Sequence, residues 1–391
     1  MLKSLEIKNF RGFESFELQQ LGRINLLVGS NNSGKTSILE ATHLLQSKAD
    51  LTPLKEHMLV RGEFSIPKEQ QEGYTLDARN LFRNYSLSEQ TLSHVLGKYE
   101  DDSEKELLIF MGERNLSKSF YAIPFYAAND SEQIQDIKDA VSDLYLTGKE
   151  DPSLGRLPFL HFVWRDTESN FDVVGVRLSL NYALREQELR AYIGENMRFL
   201  SSAYFVRSSS LTPFEMVEIF NRIVLTPDED LVNEALQIID PTVKRIASMG
   251  LGASENRSAY GNFFILKSDI NQRVPIGNMG EGMWRMLGLA LGLVNAKGGV
   301  LLVDDIDTGL HFSTMVGMWK MIWETAKRLD VQVFATTHNS DCWTSLAEIA
   351  RSQNAQEEGI TIHRIEKGKD RSVVFNKRKI VIAADQEIEV R

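Results

Sequence analysis

The stretch that decides the reading is Ile24-Asn25-Leu26-Leu27-Val28-Gly29-Ser30-Asn31-Asn32-Ser33-Gly34-Lys35-Thr36-Ser37-Ile38-Leu39-Glu40-Ala41-Thr42-His43-Leu44-Leu45. The apolar run Ile24 to Val28 has the texture of a strand buried on both faces. It stops at Gly29, and a loop of small polar residues follows. Apolar residues then recur at 38, 41, 44 and 45, the spacing of a helix. Strand, tight loop and helix frame Gly29 to Thr36, which fits G-x-x-x-x-G-K-[ST] without a gap. The chemistry needs that spacing. Glycines let the backbone wrap closely around a phosphate while successive N–H groups point inward. The helix turns the positive end of its dipole toward the same anion. Lys35 would reach the outer phosphates and the Thr36 hydroxyl a Mg²⁺ ion, with Ser37 in the first helical turn.

Working outward, Leu2, Leu5 and Ile7 alternate with charged residues as in a half-exposed strand, and Phe13, Phe16 and Leu18 continue toward a second one. Residues 50–210 carry strand-like runs at 120–127, 157–164, 171–184 and 202–207, separated by acidic, polar stretches that read as solvated surface. The aromatic run at 120–126 reads as buried strand, with a docking face as the alternative. From Pro213 the texture turns helical over 214–224 and 228–239. Thr212 and Thr226 stand where a cap belongs, each followed by a proline suited to the first helical position. The last third alternates again: an apolar helix over 283–295, a strand over 300–303, an amphipathic helix over 314–329, and a strand over 331–335. Residues 359–383 read as a terminal set of short strands.

Three further elements carry chemistry. Val300-Leu301-Leu302-Val303-Asp304-Asp305 is a buried strand ending in acids, which places carboxylates at the edge of a parallel sheet where ligands bind. Asp304 would hold the Mg²⁺ shell, and Asp305 would orient the attacking water. Val333-Phe334-Ala335-Thr336-Thr337-His338 puts a histidine directly after a strand, poised to touch a γ-phosphate. Pro275-Ile276-Gly277-Asn278-Met279-Gly280-Glu281-Gly282-Met283-Trp284-Arg285 is a glycine-rich turn opening a helix, which is either a second anion site or a simple helix entry.

Composition bounds the alternatives. The 391 residues allow two or three domains, or one large domain with an insertion. A net charge of −10 argues against a chain coated in phosphate-binding charge, although His363 to Lys379 forms a local basic stretch. That stretch reads as a solvated strand edge, with nucleic-acid contact as the alternative. One cysteine, Cys342, can build neither an internal disulfide nor a multi-cysteine metal site. The N-terminus has no apolar signal-type run, and the longest apolar helical run, 286–296, is far short of a bilayer span. A cytoplasmic protein with no membrane partner is expected.

Phosphate loop, glycine-rich helix start, acidic strand end and histidine occur in one order, and in that order the chain resembles an ABC-type ATPase of the SMC, RecF and OLD branch. The opening Leu2-Lys3-Ser4-Leu5-Glu6-Ile7-Lys8-Asn9-Phe10-Arg11-Gly12-Phe13 is similar to that branch's N-terminus. Val303-Asp304-Asp305-Ile306-Asp307-Thr308-Gly309-Leu310-His311 resembles its Walker B and D-loop. The resemblance is specific over residues 1–45 and 275–340. It implies an α/β ABC-ATPase head built from residues 1–48 and 260–391, with 49–259 inserted as a sheet-plus-helix lobe. It implies ATP and Mg²⁺, two of each clamped between two copies of the chain in a homodimer or larger homo-oligomer. By position, Lys35 and Thr36 match Walker A and Asp304 matches Walker B. Asn278, Met279, Gly280, Glu281 and Gly282 match the signature, Thr308 to His311 the D-loop and His338 the H-loop. Arg11 matches a basic residue near the nucleotide. Catalysis would rest on Lys35, Asp305 and His338.

Three departures from the pattern stand out. Asp305 replaces the usual Glu, so hydrolysis is expected to be slow and gated. The signature lacks its serine. No Q-loop is assigned, with Gln70, Gln71, Arg83 and Asn84 as candidates. The 53 residues (391 − 338) after His338 leave no room for the nuclease of long OLD proteins. This resembles the stand-alone ATPases of two-component anti-phage systems such as PARIS and Septu, which implies a separate nuclease or toxin as effector. The alternative is a DNA-repair ATPase of RecF type. A small-molecule P-loop kinase would leave the glycine turn and the strand–histidine without a purpose.

Overall fold

The computed structural model describes residues 1–48, 50–66, 73–88, 91–112, 158–167, 171–179, 181–187, 189, 202–249, 262–270, 272–352 and 359–390. Among these, the largest sheets have six strands each. One runs in the order Ala203–Val206, Val300–Val303, Gln332–Thr336, Ile24–Val28, Ile360–Arg364, Val373–Asn376. Its first five strands are parallel and the last is antiparallel. The other is antiparallel throughout, in the order Phe13–Leu18, Leu2–Phe10, Leu92–Tyr99, Glu104–Gly112, Phe159–Asp166, Phe171–Arg177.

The parallel sheet is the middle of the molecule, and strand alternation sorts its side chains onto two cores. Leu27, Leu302 and Phe334 face the antiparallel sheet and the helix Lys35–Gln46 wedged between the two sheets. Leu26, Leu301, Val303, Val333 and Ala335 face the opposite layer. That layer contains the helices Glu281–Asn295, Phe312–Arg328 and Ser340–Ser352. Both faces of the sheet are therefore covered, which is why its strands read as continuous apolar runs. Helices Pro213–Ile223 and Pro227–Gln237 begin at Thr212 and Thr226 as expected, and Thr212 forms a full capping box with Glu215.

The structure departs from the sequence reading in two places. Lys377–Asp385 is a helix, not a terminal strand: Asn376 caps it by accepting from the Lys379 N–H, and Ile380 and Ala383 are its buried face. Helix Thr52–Val60 lies in a region read as sheet. Sheet pairing joins segments distant in the chain. Leu92–Tyr99 pairs with the N-terminal strand, and Ala203–Val206 pairs with Val300–Val303. The strands Phe159–Asp166, Phe171–Arg177 and Ala183–Arg185 occupy runs read as strands, whereas 120–127 lies outside the described residues.

Candidate nucleotide site

Parallel strands deliver their C-terminal ends to one edge of the sheet, where ligands of open α/β sheets bind. Here that edge carries Gly29 after Val28, Asp304 after Val303 and Thr337 after Thr336. Register fixes their neighbourhood, with Leu27 level with Thr336 and Val303 level with Ala335. The loop needs its glycines for two reasons. Gly29 and Gly34 have φ of 141° and 102°, backbone that side chains avoid. A Cβ on Gly34 would also lie 2.3 Å from the Phe13 ring, and one on Gly29 would lie 2.3 Å from the Ile365 carbonyl oxygen.

Lys35 is buried and its ammonium donates to the carbonyls of Gly29 and Ser30, both at 2.9 Å. Burial lowers its pKa, and the carboxylates of Asp305 and Asp304 oppose that shift. Ser30, Asn31 and Asn32 are exposed. Ser33 Oγ is buried and has no protein partner, so it is free to meet a phosphate oxygen. The Thr36 hydroxyl donates to Asp304 Oδ1 at 3.1 Å, although these residues are 268 positions apart. A hydroxyl and a carboxylate at this distance are hard oxygen donors of the kind Mg²⁺ takes alongside substrate phosphates and water. The residues present therefore fit the ion, which Thr36 and Asp304 would hold.

Asp304 is itself held from behind. Thr336 Oγ1 donates to Asp304 Oδ1 at 2.7 Å and accepts from the Asp305 N–H at 2.8 Å. Asp305 has φ of 44°, which turns the chain out of the strand. Its carboxylate lies 3.9 Å from His338 Nε2. Burial and the neighbouring Asp304 charge raise the Asp305 pKa, against the pull of His338 and Lys35. Thr337 donates to Asp307 at 2.6 Å, tying the histidine-bearing strand end to the D-loop.

The glycine turn matched by position to the signature lies at the surface. Residues 276–279 form one 3-10 turn, Gly280 takes φ of 87°, and the helix Glu281–Asn295 starts without a side-chain cap. Gly277, Asn278, Gly280 and Glu281 are exposed and Met279 and Gly282 are half-buried. Among the described residues, no hydrogen bond or ion pair links residues 277–282 to Lys35, Thr36 or Asp304. They border the D-loop instead: a Cβ on Gly309 would lie 3.0 Å from Glu281 Cγ. His311 caps the helix Phe312–Arg328 by accepting from the Ser313 N–H, and it is exposed.

Arg11 is engaged in an ionic network. It pairs with Glu40 at 2.5 Å and Glu63 at 2.6 Å, and Arg61 pairs with Glu40 at 2.6 Å while reaching toward Ser37 Oγ. Beside it, a cleft of about 680 Å³ runs along the phosphate loop, lined by Asn32, Ser33, Gly34, Ser37, Phe13 and Tyr85 among others. Arg83 and Asn84 line it too, and Gln70 and Gln71 lie outside the described residues. Sequence reasoning missed Thr336; a hydroxyl closing a buried strand was the available signal.

Comparison with known proteins gives two family matches. Residues 1–150 match the AAA ATPase domain, and residues 196–341 match the AAA domain described as putative AbiEii toxin, Type IV TA system. An ATP/GTP phosphatase of Helicobacter pylori is 20% identical over 364 residues, covering 90% of each chain. The DNA replication and repair protein RecF of Clostridioides difficile is 40% identical over 60 residues, 15% of this chain and 16% of its own. Among solved structures, the SMC head bound to the C-winged helix domain of ScpA shares 14% identity, with a TM-score of 0.47 over 96% of this chain and 97% of that one. The phosphate-loop site and the two domain matches identify an ATPase that hydrolyses ATP. Among the described residues, no helix is long and apolar enough to cross a membrane.

Proposed function

We propose that this ATPase is a nucleotide-gated clamp. Two copies close on two ATP molecules, each held by one chain's phosphate loop and the other chain's turn 277–282. The observation that supports this best is a division of labour within one chain. Lys35, Thr36, Asp304, Asp305 and His338 converge, while the glycine turn is mostly exposed and, among the described residues, shares no hydrogen bond or ion pair with Lys35, Thr36 or Asp304. The triphosphate lies along Gly29 to Ser37, and the nucleoside extends into the cleft beside Phe13. Lys35 neutralises charge that builds on the transferred phosphoryl group. Asp305 orients water for in-line attack and accepts its proton as the bond to the leaving phosphate breaks, and His338 contacts the γ-phosphate. Thr36 and Asp304 would hold Mg²⁺, which would supply charge neutralisation for the reaction. The Asp305 side chain is one methylene short of Glu, so turnover is slow.

The clamp serves as sensor or scaffold in a bacterial anti-phage system and controls a separately encoded nuclease or toxin. The match of residues 196–341 to a domain described with a toxin system supports this direction. The mass of the complex with ATP and Mg²⁺, for wild type and Asp305→Asn with the genomic neighbour present, tests it. A dimer or larger ring that forms only with nucleotide and retains the neighbour is expected. A monomer under all conditions overturns the clamp, and a neighbour that never co-purifies overturns the effector role. The RecF-type reading has its own support in the RecF match and in Lys367, Lys369 and Arg371, all exposed. It requires binding to duplex DNA that falls steeply with salt.

A further inference from the structure

Arg285 opens the second turn of the helix Glu281–Asn295 and is only 2% exposed. Among the described residues, no carboxylate hydrogen-bonds to it. Its guanidinium is spent on backbone carbonyls: Nη1 donates to Arg207 O at 2.6 Å and Ser208 O at 3.4 Å. Nη2 donates to Asp304 O at 3.0 Å and Asp305 O at 2.8 Å, and Nε reaches Ile306 O at 3.4 Å. These carbonyls belong to the ends of two neighbouring parallel strands, at the point where both chains leave the sheet and the ladder no longer satisfies them.

A charged group buried this deeply is costly unless its donors are satisfied, and here a demanding arrangement of carbonyls satisfies them. The demand here is to hold three consecutive carbonyls, 304 to 306, around a residue in left-handed backbone. Asp305 at φ 44° has its amide fixed by Thr336 and its carbonyl fixed by Arg285. Its side-chain direction, toward His338, follows from those two anchors. The same arginine is four residues from Glu281, which packs on Gly309 of the D-loop. The glycine turn therefore touches the acid's segment twice, directly at Gly309 and through the Arg285 fork.

We propose that Arg285 is a positioning residue for hydrolysis: it transmits the seating of the turn 277–282 to Asp305, so that the acid is aimed when that turn is engaged. This rests on the clamp reading given above. Lysine keeps the charge but is a point donor that cannot span the three carbonyls, so Arg285→Lys is the informative variant. Full-length wild type and Arg285→Lys are compared for binding of a fluorescent ATP analogue with Mg²⁺, for nucleotide-dependent mass, and for steady-state hydrolysis. In Arg285→Lys, kcat is expected to fall at least tenfold, with nucleotide affinity and nucleotide-dependent mass within about twofold of wild type. Wild-type kcat in a folded Arg285→Lys overturns the proposal, as does a parallel loss of nucleotide affinity, which marks a purely structural role. If wild type itself shows no nucleotide-dependent mass, the clamp reading fails separately. Hydrogen exchange on wild type decides the matter should the variant not fold. The imido analogue of ATP with Mg²⁺ is expected to raise protection over 281–287 and 304–307 together. Protection confined to 281–287 overturns the coupling.

Discussion

Asp305 sits in conflict with its surroundings, since burial and the adjacent Asp304 carboxylate both disfavour its charged form. Its activity and its effect on stability therefore run in opposite directions with pH. The ionised acid is the useful form, so hydrolysis falls as pH drops through a pKa raised above that of an ordinary aspartate, a limb that a pH–rate profile will show. For stability, the folded state binds this proton more tightly than the unfolded chain. The cost of the charge is then present at neutral pH and is relieved as pH falls through the folded value. Asp305→Asn accordingly melts higher than wild type at pH 7.5, and the difference shrinks on acidification. Asp305→Glu restores reach to the water and is expected to hydrolyse ATP several-fold faster; an unchanged steady-state rate would count against its assignment. The buried histidines have the opposite sign. His57 and His363 are held down to about 3 by burial, and His43, 3.0 Å from His57, is lowered the same way. The unfolded chain takes up these protons below pH 6.5 and the folded chain does not. Each such histidine removes about 1.4 kcal/mol of stability per pH unit below 6.5. Replacing His363 with Gln should flatten the acid side of the melting curve by roughly one proton.

At the level of elements, the parts legible in the sequence were those whose local chemistry and tertiary role agree. Gly29 to Thr36 is one: its strand, loop and helix are adjacent in the chain, and the glycines are needed for both backbone conformation and ligand approach. Thr212 with Pro213 and Glu215 is another, because a capping box is complete within four residues. Lys377–Asp385 was misread because Ile380-Val381-Ile382 carries strand propensity, while the helix is decided by Asn376 and by packing against Ser340–Ser352. Asn376→Ala should cost about 1 kcal/mol and fray this helix, read as faster amide exchange over 377–380. The supports of the site were invisible for a different reason. Thr336 reaches Asp304 across 32 residues and Arg285 reaches Arg207 across 78, and one sequence carries no periodicity that pairs them. The strand pairing of 92–99 with 2–10 was likewise hidden, since register is set by the finished sheet rather than by either segment.

The whole molecule is closed by its nucleotide edge. Walker A enters at residue 29 on a central strand, and Walker B arrives 275 positions later (304 − 29). The two are adjacent only because Gln332–Thr336 lies between Ile24–Val28 and Val300–Val303. A ligand that binds both ends stabilises the sheet as a unit, because unfolding either end loses the whole site. Nucleotide at 100 times its dissociation constant should then add about 2.7 kcal/mol to global stability. The increment should divide by residue. Lys35→Ala loses the nucleotide-dependent rise in melting temperature altogether, and its hydrolysis falls by about two orders of magnitude or more. Asp304→Asn keeps the rise seen with ATP in chelator but loses the further rise on adding Mg²⁺, because Thr36 alone is a weak ligand for that ion. A melting series of the three proteins, with ATP in chelator and with ATP and Mg²⁺, separates these outcomes. An Asp304→Asn protein that still gains the Mg²⁺ increment would move the ion away from the Thr36–Asp304 pair and uncouple the two ends of the chain.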